Sequence, residues 1–144
     1  WEILNVAEAT EHPERVPGVA GGRDLCLLRL ERAADPFFVR AAIPDVSYFE
    51  SLRAGDEMTV YGFGAASSLG GDRTSRLKVA TVPYVPNDIC VESMGRFGLD
   101  DTMMCAGGDG ANDACDGDSG GPLMSTSSEG VNVCVGIVSW GDGC

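Results

Sequence analysis

The stretch Asn112-Asp113-Ala114-Cys115-Asp116-Gly117-Asp118-Ser119-Gly120-Gly121-Pro122 carries the densest chemical signal in the chain. A serine with glycine on both sides has a physical logic. Glycine permits backbone conformations that aim consecutive N–H groups into one concavity. Such a concavity holds the negative oxygen that forms when a hydroxyl attacks a carbonyl. The plainer reading is a Gly/Ser/Asp surface turn, so the surroundings have to decide.

Two other chemistries fail on those surroundings. Gly117-Asp118-Ser119-Gly120-Gly121 matches the G-x-S-x-G elbow, which needs an apolar strand before it and a helix after it. Here an acidic, cysteine-containing loop precedes, Pro122 and a strand pattern follow, and no histidine comes after Ser119. The acid-rich run from Asp109 to Asp118 suggests a calcium loop. With Asp116 first and Asp118 third, the fifth position is Gly120 and the twelfth, where a carboxylate is required, is Ser127.

Outward from this stretch, short apolar runs alternate with Gly, Pro, Asp and Ser clusters. Asp24-Leu25-Cys26-Leu27-Leu28-Arg29-Leu30 reads as a strand. Glu57-Met58-Thr59-Val60-Tyr61-Gly62-Phe63 alternates with period two, as does Leu77 to Val82, which Pro83 and Pro86 are expected to end. Val131 to Val138 is the strongest strand, and Ser125 to Gly130 is the hairpin tip before it. Asn87 to Met94 fits one short helix with Asn87 as N-cap. Spacing of this kind predicts an all-β sandwich or barrel.

Composition agrees. The 144 residues fit one domain or a piece of a larger one. Gly is 20 of them, about twice the usual share, which suits a turn-rich β chain and not a helical bundle. The longest apolar runs are a few residues, so no membrane span is expected. A net charge of −12 makes nucleic acid and anionic membranes poor partners and cationic groups better ones.

Cys26, Cys90, Cys105, Cys115, Cys134 and Cys144 suggest either disulfides or metal ligation. No close C-x-x-C pair is present, so disulfides in an oxidising compartment are the expectation and a metal is not. The chain opens on Trp1 with no secretion signal and stops on a cysteine after an apolar strand, which reads as a fragment cut at both ends.

Taken together, these motifs resemble the trypsin-like, chymotrypsin-fold serine proteases. The resemblance rests on Gly117 to Pro122, Ser139-Trp140-Gly141-Asp142-Gly143-Cys144, Asp24 to Leu30, Met104-Cys105-Ala106-Gly107, and Gly62-Phe63-Gly64 with Phe in place of Trp. In that family the triad aspartate precedes the serine by about 93 residues. Here Asp24 precedes Ser119 by 95. The resemblance implies a two-barrel all-β fold, with residues 1–40 ending the first barrel and 41–144 forming a truncated second one.

It also implies roles. Ser119 would be the nucleophile, and the N–H groups of Gly117 and Ser119 the oxyanion hole. Asp24 would orient the catalytic histidine, hydrogen-bonded in turn to Ser139. Asp113 would floor the primary specificity pocket, where a buried carboxylate favours substrate Arg or Lys. Gly141 would line its wall, and Trp140 and Gly141 would pair with substrate backbone. Asp116 would sit at the pocket mouth, where a solvated loop acid is the favoured reading over a selective role. Asp118 would pair with the new N-terminal amine made by zymogen cleavage. The family places its histidine about 45 residues before the aspartate, ahead of residue 1. His12 lies only twelve residues before Asp24 and is not expected to be catalytic.

The implied disulfides are Cys90–Cys105 and Cys115–Cys144. Cys26 and Cys134 are unusual for the family. Each adjoins a strand bearing a site residue, and a bridge between barrels is favoured over two buried thiols. The implied function is secreted endopeptidase cleavage after Arg or Lys, without a cofactor, with the 144-residue piece inactive alone. Protein or peptide substrates with Arg or Lys, and protein inhibitors, are the partners. The alternative is a noncatalytic homologue that uses the scaffold as a binding module.

Overall fold

In the computed structural model, residues 2–15, 22–67, 75–95, 98–108, 110 and 112–144 are described. Asp109, where the acid-rich run begins, lies outside them. Seven strands and two short helices occur among the described residues: β1 (Val6–Glu11), β2 (Cys26–Leu30), α1 (Val46–Ser51), β3 (Glu57–Gly62), β4 (Lys78–Val85), α2 (Asn87–Met94), β5 (Cys105–Ala106), β6 (Pro122–Thr126) and β7 (Asn132–Ile137). The strands form two antiparallel sheets, β1-β2 and β5-β4-β3-β6-β7. The fold is the all-β, chymotrypsin-like one.

The larger sheet holds the core. Along β3, Met58 and Val60 point inward at 0% and 6% exposure while Thr59 and Tyr61 point out, the period-two pattern of a half-buried strand. Val82 from β4, Leu123 from β6 and Val133 and Val135 from β7 close on them. Each such side chain contributes about 1.5–3 kcal/mol by leaving water. Ser125, also buried, accepts a hydrogen bond from the Tyr48 hydroxyl at 3.0 Å and so ties α1 to β6.

The small sheet has no layer over it among the described residues, and every position of β1 and β2 is exposed. The segment between the sheets is fastened by Ala42, whose N–H donates to Asn132 and whose carbonyl accepts from the Cys134 N–H. Asp45 caps α1, accepting from the Tyr48 N–H at 3.1 Å and the Ser47 hydroxyl at 2.7 Å.

Two local expectations are corrected. Pro83 does not end β4: it pairs with Glu57, and its carbonyl accepts from the Gly107 N–H at 2.8 Å. A proline with no N–H to leave unpaired is tolerated there, and the strand runs on to pair Tyr84 and Val85 with β5. Asn87 is the first residue of α2 and not its cap. Pro86 holds the cap position, and the Asn87 amide donates instead to the Met103 carbonyl at 2.9 Å.

Candidate active site

Ser119 stands exposed at the tip of a loop built from two turns. The Asp118 N–H donates to Cys115, the Gly121 N–H donates to Asp118, and Gly117 and Gly120 take φ of 99° and 82°, where a side chain is strained. The loop is locked to the strand that leads to Ser139. The Gly120 N–H donates to Val138 at 2.8 Å, and the Val138 N–H donates to Gly121 at 2.9 Å.

That lock carries Ser119 toward Asp24. The Ser139 hydroxyl donates to Asp24 Oδ2 at 2.7 Å, across 115 residues of chain. Asp24 Oδ1 accepts from Arg15 Nε at 2.6 Å. The Ser139 hydrogen bond first, and the Arg15 guanidinium second, hold the Asp24 carboxyl below its ordinary range. Ser119 directly adjoins Gly120, and Ser139 directly adjoins Val138, so each serine is one peptide bond from the lock.

Asp118 turns away from Ser119. Its Oδ1 accepts from the Gly64 N–H at 2.8 Å, and its Oδ2 from the Cys115 N–H at 2.9 Å. This explains the Gly62-Phe63-Gly64 run. A Cβ on Gly62 would collide with the Asp118 carboxylate, and one on Gly64 would lie 2.6 Å from it. The N–H donors from both sides shape the loop that presents Ser119.

Asp113 faces a cavity of about 660 Å³ that is also lined by Asp118, Asp142, Lys78, Gly110 and Cys144. Its Oδ1 accepts from the Ala114 N–H at 2.7 Å. The expected burial of this carboxylate is corrected, since Asp113 is exposed. The cavity is open beside it, so no wall seals the acid from water. Trp140 is half-buried, and Gly141, Asp116 and Gly117 are exposed.

Two disulfides brace this ground. Cys115–Cys144 ties the Ser119 loop to the residues after Gly141, and Cys90–Cys105 ties α2 to β5. The bridge expected between Cys26 and Cys134 is not formed. Each thiol is turned to a carbonyl of its own strand, Cys26 to Leu27 at 3.8 Å and Cys134 to Gly136 at 3.5 Å. His12 sits in the turn after β1, with its N–H donating to Leu25 and its Nδ1 accepting from the Glu14 N–H at 3.2 Å. Among the described residues no group of three His, Cys, Asp or Glu is placed to hold a metal.

Arg15 is the residue that motif reading passes over. No spacing rule points to it, because only the β1-β2 register brings it over Asp24. The backbone donors of Gly64 and Cys115 are equally invisible in a motif, although the paired glycines of Gly62-Phe63-Gly64 are a signal of close approach.

Comparison with known proteins agrees with this architecture. The trypsin family model matches residues 2–144. Vitamin K-dependent protein C of Equus caballus is 40% identical over 98% of the chain and 91% of its own length. That of Felis catus is 37% identical over all of the chain and 94% of its own length. Serine proteinase stubble of Drosophila melanogaster is 39% identical over 84% of the chain, which spans 16% of that protein. A family match across residues 2–144, with relatives 37% and 40% identical over nearly the whole chain, places the chain in the trypsin family of serine proteases.

Proposed function

We propose that the chain supplies the nucleophile, the oxyanion donors and the specificity pocket floor of an extracellular endopeptidase that cleaves after Arg or Lys. Residues 1–40 belong to the end of its first barrel and 41–144 to its second. The observation that carries this reading is the Asp24–Ser139 hydrogen bond, with the Val138–Gly120 and Val138–Gly121 bonds locking the Ser119 loop beside it.

A serine hydroxyl is a weak nucleophile until a base takes its proton. Asp24, kept ionised by Ser139 and Arg15, is suited to orient an imidazole and to stabilise its protonated form. His12 does not fill that role, since its Nδ1 already accepts from the Glu14 N–H. The base therefore comes from a segment outside residues 1–144, and these residues alone are inactive. Ser119 Oγ attacks the scissile carbonyl, the base takes the hydroxyl proton, and negative charge develops on the carbonyl oxygen. The N–H groups of Gly117 and Ser119 stabilise that oxygen, an effect worth about 10²–10³ in rate per donor. Return of the proton to the leaving amine breaks the C–N bond and leaves an ester on Ser119, which water then hydrolyses.

Asp113 supplies the preference. A carboxylate lining the cavity, as Asp142 also does, attracts a guanidinium or ammonium and repels acidic side chains. Cys115–Cys144 keeps the cavity edge in place. Full-length, processed protein is expected to hydrolyse Arg and Lys esters far faster than uncharged ones. Asp113→Ser should erase most of that ratio, and Ser119→Ala should abolish turnover. Specific binding of protein ligands without Ser119-dependent turnover would favour the noncatalytic reading instead.

A further inference from the structure

The chain carries 10 basic residues against 22 acids, and only Arg40 and Lys78 have no Asp or Glu within four residues of them. Lys78 opens β4, and its ammonium donates to the Gly64 carbonyl at 2.9 Å. Arg40 lies between β2 and α1 in Pro36-Phe37-Phe38-Val39-Arg40-Ala41-Ala42-Ile43-Pro44, a run with no charge but its own. Arg15, Arg23, Arg29 and Arg32 pair with carboxylates, Arg53 grips two carbonyls, and Arg76 is also engaged. Arg40 alone among the described basic residues has no partner.

The backbone around Arg40 is as free as its side chain. Residues 31–41 are all exposed, Phe37 at 90% and Val39 at 96%. Among the described residues no hydrogen bond holds Val39, Arg40 or Ala41. The nearest ties are the Phe38 N–H on the Asp35 carbonyl at 3.0 Å and, on the other side, the bonds of Ala42 to Asn132 and Cys134. A protease that pairs with substrate backbone takes it as an extended strand, so the bond to be cut must be free of its own ladder. An exposed segment with few ties opens at little cost, and nicking concentrates in such segments. Arg29 and Lys78, by contrast, sit in paired strands.

We propose that the Arg40–Ala41 bond is a substrate for a second copy of this protein, and that its cleavage switches the enzyme off. The proposal rests on the reading above of a protease directed to Arg or Lys. The cavity is lined by Asp113, Asp118 and Asp142, so it accepts a basic side chain in an acid-free run and repels one with acids beside it. Ser119 Oγ of one copy attacks the Arg40 carbonyl of another. The serine proton passes through the base to the departing Ala41 amine, and water then releases Arg40 as a carboxylate. The cut falls between Asp24 and Ser119. Within residues 1–144 both disulfides lie on the Ser119 side, and Cys26 and Cys134, which lie on opposite sides, are not bridged. Asp24 is then held to the site by contacts such as the Ser139 hydrogen bond at 2.7 Å and that of the Arg23 N–H to Thr102 at 3.1 Å. Loss of the tether lets the two parts separate on dilution.

The test incubates full-length, processed protein alone and follows Arg-ester turnover together with new N-termini by mass spectrometry. Turnover should fall as a terminus at Ala41 appears, faster at higher protein concentration. Arg40→Gln should start with the same kcat/KM, form no such terminus and keep its turnover several times longer, while Arg40→Lys should still be cut. Active wild-type protein that forms no Ala41 terminus, or Arg40→Gln that fades as fast as wild type, overturns the proposal. The protease reading is judged separately. Absence of Ser119-dependent ester turnover in the wild type refutes that reading, and self-cleavage falls with it. Pancreatic trypsin added to full-length Ser119→Ala then still decides whether the bond is open. Its first cut should fall after Arg40, and first cuts elsewhere overturn the accessibility of this segment.

Discussion

At the scale of single residues, two backbone positions carry consequences that side-chain chemistry does not announce. Gly64 sits against Asp118 so closely that a methyl group would force the carboxylate out of reach of its two N–H donors. Gly64→Ala should therefore cost about 1–3 kcal/mol of stability through overpacking. Turnover should fall with it, because the Ser119 loop loses its anchor. A denaturant midpoint together with an ester assay checks both effects. Arg23 takes φ of 61° immediately before Asp24, and its N–H donates to the Thr102 hydroxyl at 3.1 Å. That bond reaches from the hairpin to the loop before β5. Glycine adopts this conformation without strain, and the exposed Arg23–Glu14 pair is worth little. Arg23→Gly should melt within about 1 kcal/mol of wild type, whereas Arg23→Val, β-branched at positive φ, should be clearly less stable.

At the scale of elements, the Cys115–Cys144 bond closes a span of 29 residues that contains both Ser119 and Ser139. Chain-entropy reasoning puts its contribution at about 3.6 kcal/mol. Replacing both cysteines by serine should lower the melting temperature accordingly and raise KM for Arg esters more than it lowers kcat. The tie governs the pocket edge, and the Gly120–Val138 lock remains. What was legible in the sequence follows the same division. β3, β4, β7 and α2 lie within a few residues of their expected ranges, because alternation and turn residues mark them, and β2 does so because its apolar run reads as a strand although every position is exposed. β1 gave no such signal, since Val6–Glu11 holds charged and small residues and a single large apolar side chain. The capping of α2 and the passage of β4 through Pro83 escaped for another reason. Each depends on partners distant in sequence, Met103 in one case and Gly107 in the other. The site divides similarly. Ser119 and the glycines around it are a local motif, while the hold of Arg15 on Asp24 exists only once the hairpin register is set.

At the scale of the whole molecule, acidity dominates. The net charge of −12 is self-repulsive, so added salt should raise thermal stability modestly through screening. Against that background several carboxylates are held below their ordinary values. The hydroxyl of Ser139 and then Arg15 act on Asp24, the N–H of Asp35 and then Arg32 on Glu2, the hydroxyl of Ser47 on Asp45, and the hydroxyl of Thr102 on Asp100. Folded values below unfolded ones mean that this stabilisation is fully present above the ordinary carboxylate values of 3.8 and 4.5 and is lost as pH falls through the folded ones. Urea midpoints at fixed ionic strength should therefore drop as pH is lowered beneath that window. A midpoint that holds steady or rises there would contradict the hydrogen-bonded carboxylates described above.

The proposed chemistry requires Ser119 to be a hydroxyl activated by the base that Asp24 orients. Treatment of full-length, processed protein with an arginine-like phosphonate ester, followed by peptide mass mapping, reads this directly. The prediction is one covalent adduct on the peptide bearing Ser119, lost in Ser119→Ala and slowed in Asp24→Asn. Labelling at other residues only, or labelling that survives Ser119→Ala, would contradict it.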